Sequence, residues 1–346
     1  MTLSLPDTIL DERDLEDWLA RPTPALVEMM GRMEGDLAVL GVAGKMGLSL
    51  AQTARQAAER AGVRKRIFGV DRAFTDGSEA FLESRSIEPI ACDLLDRRAV
   101  ADLPPAENVI FMAGRKFGTQ GDEAMTWAVN TLLPANAAER YADSRIVAFS
   151  TGCVYPLATV EEGGCSERTP PAPIGEYAQS CLGRERVFEY YSRMRGTPVC
   201  LMRLNYAIDL RYGVLHDVAQ RIHGGQPVDV AVPAANCIWQ GDANNRALLA
   251  LERCASPPEI LNVTGPETFS IRWAAATLAG EMGLKAAFVG REGQRAYLSD
   301  AGKSIGLWGS PTVPLTTMIR WTARWVQSGG ATLGKPTHFE VNTGKF

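Results

Sequence analysis

Residues 37–47 read L-A-V-L-G-V-A-G-K-M-G, and residues 48–61 after them carry a helical pattern. An unbroken apolar run of four is the mark of a strand buried on both faces. Gly41, Gly44 and Gly47 then turn the chain into a helix beginning near Met46. Glycines suit that turn because it is tight, because bare backbone must approach an anion, and because a helix start offers N–H donors and a positive dipole. A second strand, R-I-F-G-V, ends at Asp71. A carboxylate there can accept from both hydroxyls of an adenosine ribose. Strand, glycine loop, helix, strand and acid in this order read as a dinucleotide-binding unit. It would place Gly41, Gly44, Lys45, Met46 and Gly47 around a pyrophosphate, with Asp71 and Arg72 at the ribose. Asp71 would repel a 2'-phosphate and so favours NAD. Lys45 and Arg72 could instead face such a phosphate, which keeps NADP open as the less favoured cofactor.

Downstream, N-V-I-F-M-A-G and R-I-V-A-F-S repeat the short apolar run between helical stretches, which implies βαβ units. The expected fold is α/β, a Rossmann-type doubly wound parallel sheet with a smaller C-terminal substrate lobe. The expected division is a helical arm over 1–35, a dinucleotide-binding domain over 36–205 to which 236–265 returns, and a substrate lobe from 206–235 and 266–346. In the arm, Leu10, Leu15, Trp18 and Leu19 lie at helical spacing, as do Leu26, Met29 and Met30, with Pro22 and Pro24 between the two sets. The arm could pack on the body or serve an oligomer contact.

A formal charge of -4 gives no general reason to bind a polyanion, so nucleic acid is not expected as a partner. Seven scattered cysteines without a C-x-x-C pair point to reduced thiols and no zinc site. The three histidines form no ligand cluster, so no metal is expected. The first residues lack a basic segment followed by an apolar one, and no apolar run approaches the roughly 18 residues of a membrane span. A cytoplasmic protein acting on a small molecule, with no membrane partner, is the expectation.

These segments resemble the extended short-chain dehydrogenase family, specifically its NAD-dependent epimerase/dehydratase group, from about Asp36 to Val326. The G-x-x-G-x-x-G spacing is that group's form. By the resemblance, Asp93 and Leu94 in A-C-D-L-L lie beside the adenine, Ala113 and Gly114 form the motif after the fourth strand, and Asn130 in V-N-T-L-L-P is the helix asparagine. F-S-T-G-C-V-Y-P selects Thr151 as the hydroxyl that holds the substrate oxygen, with Gly152 and Cys153 beside the substrate. I-G-E-Y-A-Q-S-C selects Tyr177 as the proton-transferring phenol. L-M-R-L-N-Y, I-W-Q-G-D-A and residues 261–271 match in order and bring Asn205 and Tyr206 to the start of the substrate lobe, joined by Arg115 and Lys116 after the fourth strand; Arg211 could grip an acidic substrate group or lie at the surface, and Trp239 could stack on a sugar face or fill core. The family often dimerises through two helices, which implies a homodimer.

One position departs from the pattern: Cys181 stands four residues after Tyr177, where the family has a lysine. That lysine bonds the nicotinamide ribose and lowers the tyrosine pKa, and a neutral thiol does neither. Three readings stay open. Arg184, seven residues after Tyr177 and on the same helical face, could supply the charge, as could Arg115 or Lys116. The chemistry could dispense with a strong tyrosine base. The protein could bind NAD without turnover, as a regulator or scaffold. Cys181 itself is either a nucleophile or a small thiol filling space. The leading expectation is an NAD-dependent oxidoreductase or epimerase acting at a CH–OH carbon of a carbohydrate-like or hydroxy-acid substrate. A nucleotide-sugar epimerase or dehydratase is the further alternative, with Arg211 and Arg291 as candidate grips for a second pyrophosphate.

Overall fold

The computed structural model describes residues 5–75, 77–116, 118, 121–335, 337–341, 343 and 344. Two helices come first, α1 (Glu12–Leu19) and α2 (Pro24–Arg32). Asp11 caps α1 by accepting from the Asp14 N–H, and Thr23 caps α2 by accepting from Leu26, with Pro24 as its first residue. Leu15, Trp18 and Leu19 are buried as the spacing predicts, whereas Leu10 lies before the cap and is exposed.

The parallel sheet follows as β1 (Leu37–Leu40), α3 (Gly47–Arg60), β2 (Ile67–Asp71), α4 (Ser78–Glu83), β3 (Glu88–Ala91), α5 (Arg97–Ala101) and β4 (Asn108–Phe111). It continues through α6 (Glu123–Trp127), a π-helical turn over Ala128–Leu132, α7 (Leu133–Arg140), β5 (Arg145–Thr151), α8 (Gly175–Arg195) and β6 (Val199–Leu204). After β6 the strands shorten: β7 (Ala207–Ile208), α9 (Val214–His223), β8 (Val228–Asp229), β9 (Ala234–Ala235), β10 (Ile238–Trp239) and α10 (Gln240–Leu249). The chain ends with β11 (Glu259–Val263), β12 (Phe269–Ser270), α11 (Ile271–Glu281), β13 (Phe288–Val289), α12 (Gly302–Trp308) and α13 (Leu315–Gln327).

The seven-stranded sheet runs β11-β6-β5-β4-β1-β2-β3, every pair parallel. Its order reverses between β1 and β4, which opens a crevice at the carboxyl ends of those strands. On one face α2, α3 and α10 pack over Val39, Ile110 and Met202. On the other α5, α7 and α8 cover Leu40, Phe111 and Ala148. This is the expected doubly wound Rossmann-type sheet, and residue 259–263 form its last strand beside β6. Three two-stranded pairs, β7 with β10, β9 with β12 and β8 with β13, lie outside it. A third core gathers α9, α11 and α13 around Trp239 and Trp321.

The arm spans these cores. Trp18 of α1 stacks at a tilt on Trp321, ring centres 5.7 Å apart, and belongs to the third core, while Leu26, Met29 and Met30 of α2 belong to the sheet core. Beneath the sheet's carboxyl edge lies a buried ion pair: Arg203 donates to Glu185 through Nε at 2.8 Å and Nη2 at 2.6 Å. Ser150 donates to the same carboxylate at 2.6 Å, and the guanidinium stacks 4.7 Å over Tyr155. These contacts join β5, α8 and β6, the elements that carry Thr151 and Tyr177.

Candidate active site

The turn after β1 is shaped by what a side chain would strike. An added Cβ at Gly41, where φ is +90°, would stand 2.6 Å from the Ala113 nitrogen, and one at Gly47 would collide with the Val42 carbonyl. Only glycine permits the loop to lie this close to the end of β4 and to the start of α3. Asp71 Oδ2 accepts from the Ala43 N–H at 2.9 Å and its Oδ1 from Arg72 N–H at 2.8 Å, which fixes the loop against the second strand. Along the sheet edge runs a cavity lined by Asp71, Arg72, Asp93, Leu94, Ala113 and Gly114, beside the loop residues Gly41 and Gly44. These residues, with the open amide cradle at the α3 start, fit the adenosine half of a dinucleotide.

The neighbouring cavity, about 750 Å³, shares Gly41, Gly44 and Gly114 and continues past Lys45 and Met46 to Thr151, Tyr177, Cys153, Arg184, Asn205 and Tyr206. Sequence positions more than 160 residues apart therefore meet, because β1, β4, β5 and β6 all end on one side. Thr151 is the last residue of β5, and its hydroxyl accepts from Cys153 N–H at 3.2 Å and hydrogen-bonds with the Tyr177 phenol. Burial pushes the Tyr177 phenol well above its ordinary pKa, with Cys181 and Cys153 adding to the effect and Arg184 opposing it. Gly152 has no room for a side chain, since an added Cβ would stand 3.0 Å from Asn205 Oδ1 and from Ser299 Oγ. Tyr206 is held at φ 44°, a conformation costing an L residue about 1 to 2 kcal/mol, at the point where the chain leaves the sheet.

Arg184 does reach this site. Its Nη1 donates to the Phe149 carbonyl at 2.8 Å and its Nη2 to Asn130 Oδ1 at 2.5 Å, while its buried Nε has no partner. Asn130, in the π-helical turn, also accepts from Arg115 N–H and donates to the Arg115 carbonyl and to Ser180 Oγ. A π turn inside a helix commonly marks a functional position, and here it aims one amide both at the segment after β4 and at α8. Lys116 Nζ lies 6.0 Å from the Tyr177 ring centre and donates to the Thr337 carbonyl at 3.3 Å.

Several residues sit elsewhere than the sequence suggested. Cys181 does not line the cavity: it is buried behind Tyr177 among Val154, Tyr155 and Ala158, and burial raises its thiol to about 11, so it is a neutral filler. Arg211 is held by Asp209 through Nη2 at 2.9 Å and lines neither cavity, and Trp239 is packed edge-on against Trp321, 5.5 Å between centres. Arg115 lines both cavities and pairs with Asp122 at 2.6 Å. Lys45 lies with Nζ 3.4 Å from the Tyr212 ring centre in the larger cavity, rather than at the ribose beside Asp71.

Sequence reasoning missed Lys335, Thr337 and His338, which come from the C-terminal segment to line the larger cavity. That segment is anchored where Thr337 N–H donates to Asp217 at 2.7 Å and Leu333 N–H to the Arg211 carbonyl at 3.1 Å. No local pattern marks such residues, since their place depends on α9 beneath them. Among the described residues no group of three or more His, Cys, Asp or Glu is arranged to hold a metal, and no helix is long and apolar enough to cross a membrane.

A family model described as the NAD dependent epimerase/dehydratase family matches residues 37–246. Among solved structures, the chain is similar to UDP-glucuronic acid 4-epimerase from Bacillus cereus, at 18% identity and TM-score 0.69, covering 85% of this chain and 99% of that one. It is similar to UDP-glucose 4-epimerase from Thermotoga maritima at 18% identity and TM-score 0.71, with coverage of 85% and 99%. A third is dTDP-glucose 4,6-dehydratase from Bacillus anthracis, at 16% identity and TM-score 0.69, with coverage of 85% and 96%. Among curated proteins none matches the sequence.

Proposed function

This chain belongs to the NAD dependent epimerase/dehydratase family, and from that premise we propose that it is an NAD-dependent oxidoreductase or epimerase acting at a CH–OH carbon of a carbohydrate-like or hydroxy-acid substrate. The observation that carries the reading is convergence: the glycine loop and the Thr151–Tyr177 pair open onto one cavity. Asp71, Asp93 and Leu94 would hold the adenosine, and the amides from Gly41 to Gly47 the pyrophosphate. NAD when bound supplies the hydride acceptor. Tyr177 exchanges a proton between its phenol and the substrate oxygen, and Thr151 holds that same oxygen. Because burial keeps the phenol protonated, Tyr177 gives its proton to a carbonyl oxygen most readily. Taking one from a hydroxyl requires a nearby cation, and Arg184 serves as the substitute for the absent lysine, being the charge that lowers the phenol's pKa.

A nucleotide sugar is the second reading of the substrate. It is supported by similar structures solved in complex with NAD and UDP-glucuronic acid or UDP-glucose. The expected homodimer is supported by the exposed apolar residues Leu132, Tyr190 and Met194 on two elements that pack side by side.

The test is titration calorimetry with NAD and NADP, then a screen of sugars, sugar acids, lactones and nucleotide sugars that follows absorbance of the reduced cofactor. We expect NAD to bind more tightly than NADP. Tyr177→Phe should lower kcat by about 10²- to 10³-fold on whichever substrate turns over, with NAD affinity unchanged. If neither nucleotide binds, the reading is wrong. NAD binding without turnover of anything in the screen would favour a regulator.

A further inference from the structure

Among the described residues, three other than glycine hold a left-handed backbone: Ser86, Tyr206 and His338, at φ 55°, 44° and 55°. Ser86 belongs to the turn that stops α4, where Ile87 N–H reaches back to the Leu82 carbonyl, and a helix end accounts for it. The other two line the larger cavity together with Thr151 and Tyr177. Such a backbone strains any residue with a side chain, a bulky one above all, and it persists where the surroundings over-determine it, most often at a site of function.

His338 is held from both sides. Thr337, before it, donates its N–H to Asp217 of α9 at 2.7 Å and its hydroxyl to the same oxygen, while its carbonyl accepts from Lys116. Phe339, after it, is 3% exposed in the third core, and Val341 N–H closes the turn on the His338 carbonyl at 3.0 Å. Gly344 then lies against Ile174 and Gly175, at the start of α8 and two residues before Tyr177. The segment thus runs from α9 to α8 along the cavity, with the half-buried imidazole between two anchors. A turn that served only to bring Phe339 into the core would be met best by glycine, which takes a positive φ without strain. Histidine at this position keeps instead a ring that carries both a hydrogen-bond donor and an acceptor, in the lining of the same space as the Thr151–Tyr177 pair.

We propose that His338 is a substrate-contacting residue: its imidazole hydrogen-bonds a second oxygen of the substrate while Thr151 and Tyr177 hold the reacting one, and the C-terminal segment is the wall that presents it. The proposal rests on the functional reading above in placing the substrate in this cavity. It requires a substrate with an oxygen beyond the reacting CH–OH group, as sugars and hydroxy acids have and simple alcohols lack.

The test compares the full-length parent with His338→Gly on whichever of D-glucose, D-glucuronate, glycerate and UDP-glucose the parent turns over. Glycine suits the backbone and removes only the imidazole. We expect kcat/KM to fall by about tenfold, mainly through KM, with NAD affinity altered less than about twofold and Tm no more than about 2 °C below the parent's. In parallel, the parent is treated with diethyl pyrocarbonate and its histidines are read by peptide mass spectrometry. His338 should react in the ligand-free chain, and at least about threefold more slowly under saturating NAD, whose nicotinamide half would fill the space beside it. The proposal is overturned if His338→Gly turns over as the parent does, if its Tm falls together with its activity, which would mean that the ring serves the fold, or if bound NAD leaves the labelling of His338 unchanged. If NAD binds but no compound of the four turns over, the failure falls on the functional reading, and the labelling still decides whether His338 stands in the site. If NAD does not bind at all, the functional reading and the proposal fall together.

Discussion

At Cys181 the side chain that the family pattern requires is absent, yet the space is filled, and one turn further along α8 stands Arg184, the cation proposed to take its place. The thiol is buried in an apolar cluster and, raised to about 11, stays neutral at ordinary pH. Cys181→Ala is therefore expected to change kcat by less than about threefold, with only a modest loss of stability for the small void. A collapse of turnover comparable to that of Tyr177→Phe would show instead that the sulfur takes part. Legibility differed sharply among single residues. Gly41, Gly44, Gly47 and Asp71 were readable because one short stretch holds both the cause and its context. Arg211 was misread although its partner, Asp209, is two residues away: in extended chain such a pair shares a side, and that spacing could have been noticed. For Trp239 the sequence left sugar-stacking and core-filling both open, and its packing on the distant Trp321 decides for core.

Among elements, α8 has two duties. Its first turns present Tyr177 to the cavity, and its middle anchors to β5 and β6 through Glu185, whose side chain and that of Arg203 are each 2% exposed. Removing one partner leaves a buried charge without its counterion. Arg203→Met is accordingly expected to lower unfolding free energy by about 3 to 5 kcal/mol, read from the urea midpoint, while replacing Glu185 as well should recover most of that loss. If the single variant were as stable as the parent, the pair would not be what fixes α8. Four strands of the sheet, β1, β2, β4 and β5, were evident from their apolar runs, and α3 from its glycine loop, whereas β3, at the sheet edge with no buried residue, had no such run. The two-residue strands β7 to β10 were not, since pieces that short have no periodicity to detect. The π-helical turn that aims Asn130 was equally hidden, as its sequence A-V-N-T-L suits an ordinary helix.

For the molecule as a whole, the larger cavity carries a cost that depends on pH. Lys45 titrates at about 7 in the folded chain against an ordinary 10.5, so between those values the unfolded chain holds the extra proton. Stability from this group therefore rises with pH across that window, and the penalty is complete below it. Lys45→Met should raise Tm relative to the parent more at pH 6 than at pH 9, measured without ligand; an equal gain at both would show that burial does not lower the Lys45 ammonium's pKa in the folded chain. The overall architecture was legible because buried strands alternating with helices admit few arrangements. The cavity's character was not, because its lysines are separated by up to 290 residues.

The arm described first in the fold has a consequence in time. Trp18 meets Trp321, Trp321 Nε1 donates to the Pro6 carbonyl at 2.9 Å, and Arg324 donates to the Asp7 carbonyl at 2.8 Å. Residues of α1 thus wait for partners made some 300 residues later: α1 can meet only α3 until α10 and then α13 are made, while α2 can settle on α3 at once. For that interval the nascent chain leaves part of the apolar stretch Leu15, Trp18 and Leu19 open to chaperones and proteases until α13 emerges to complete its cover.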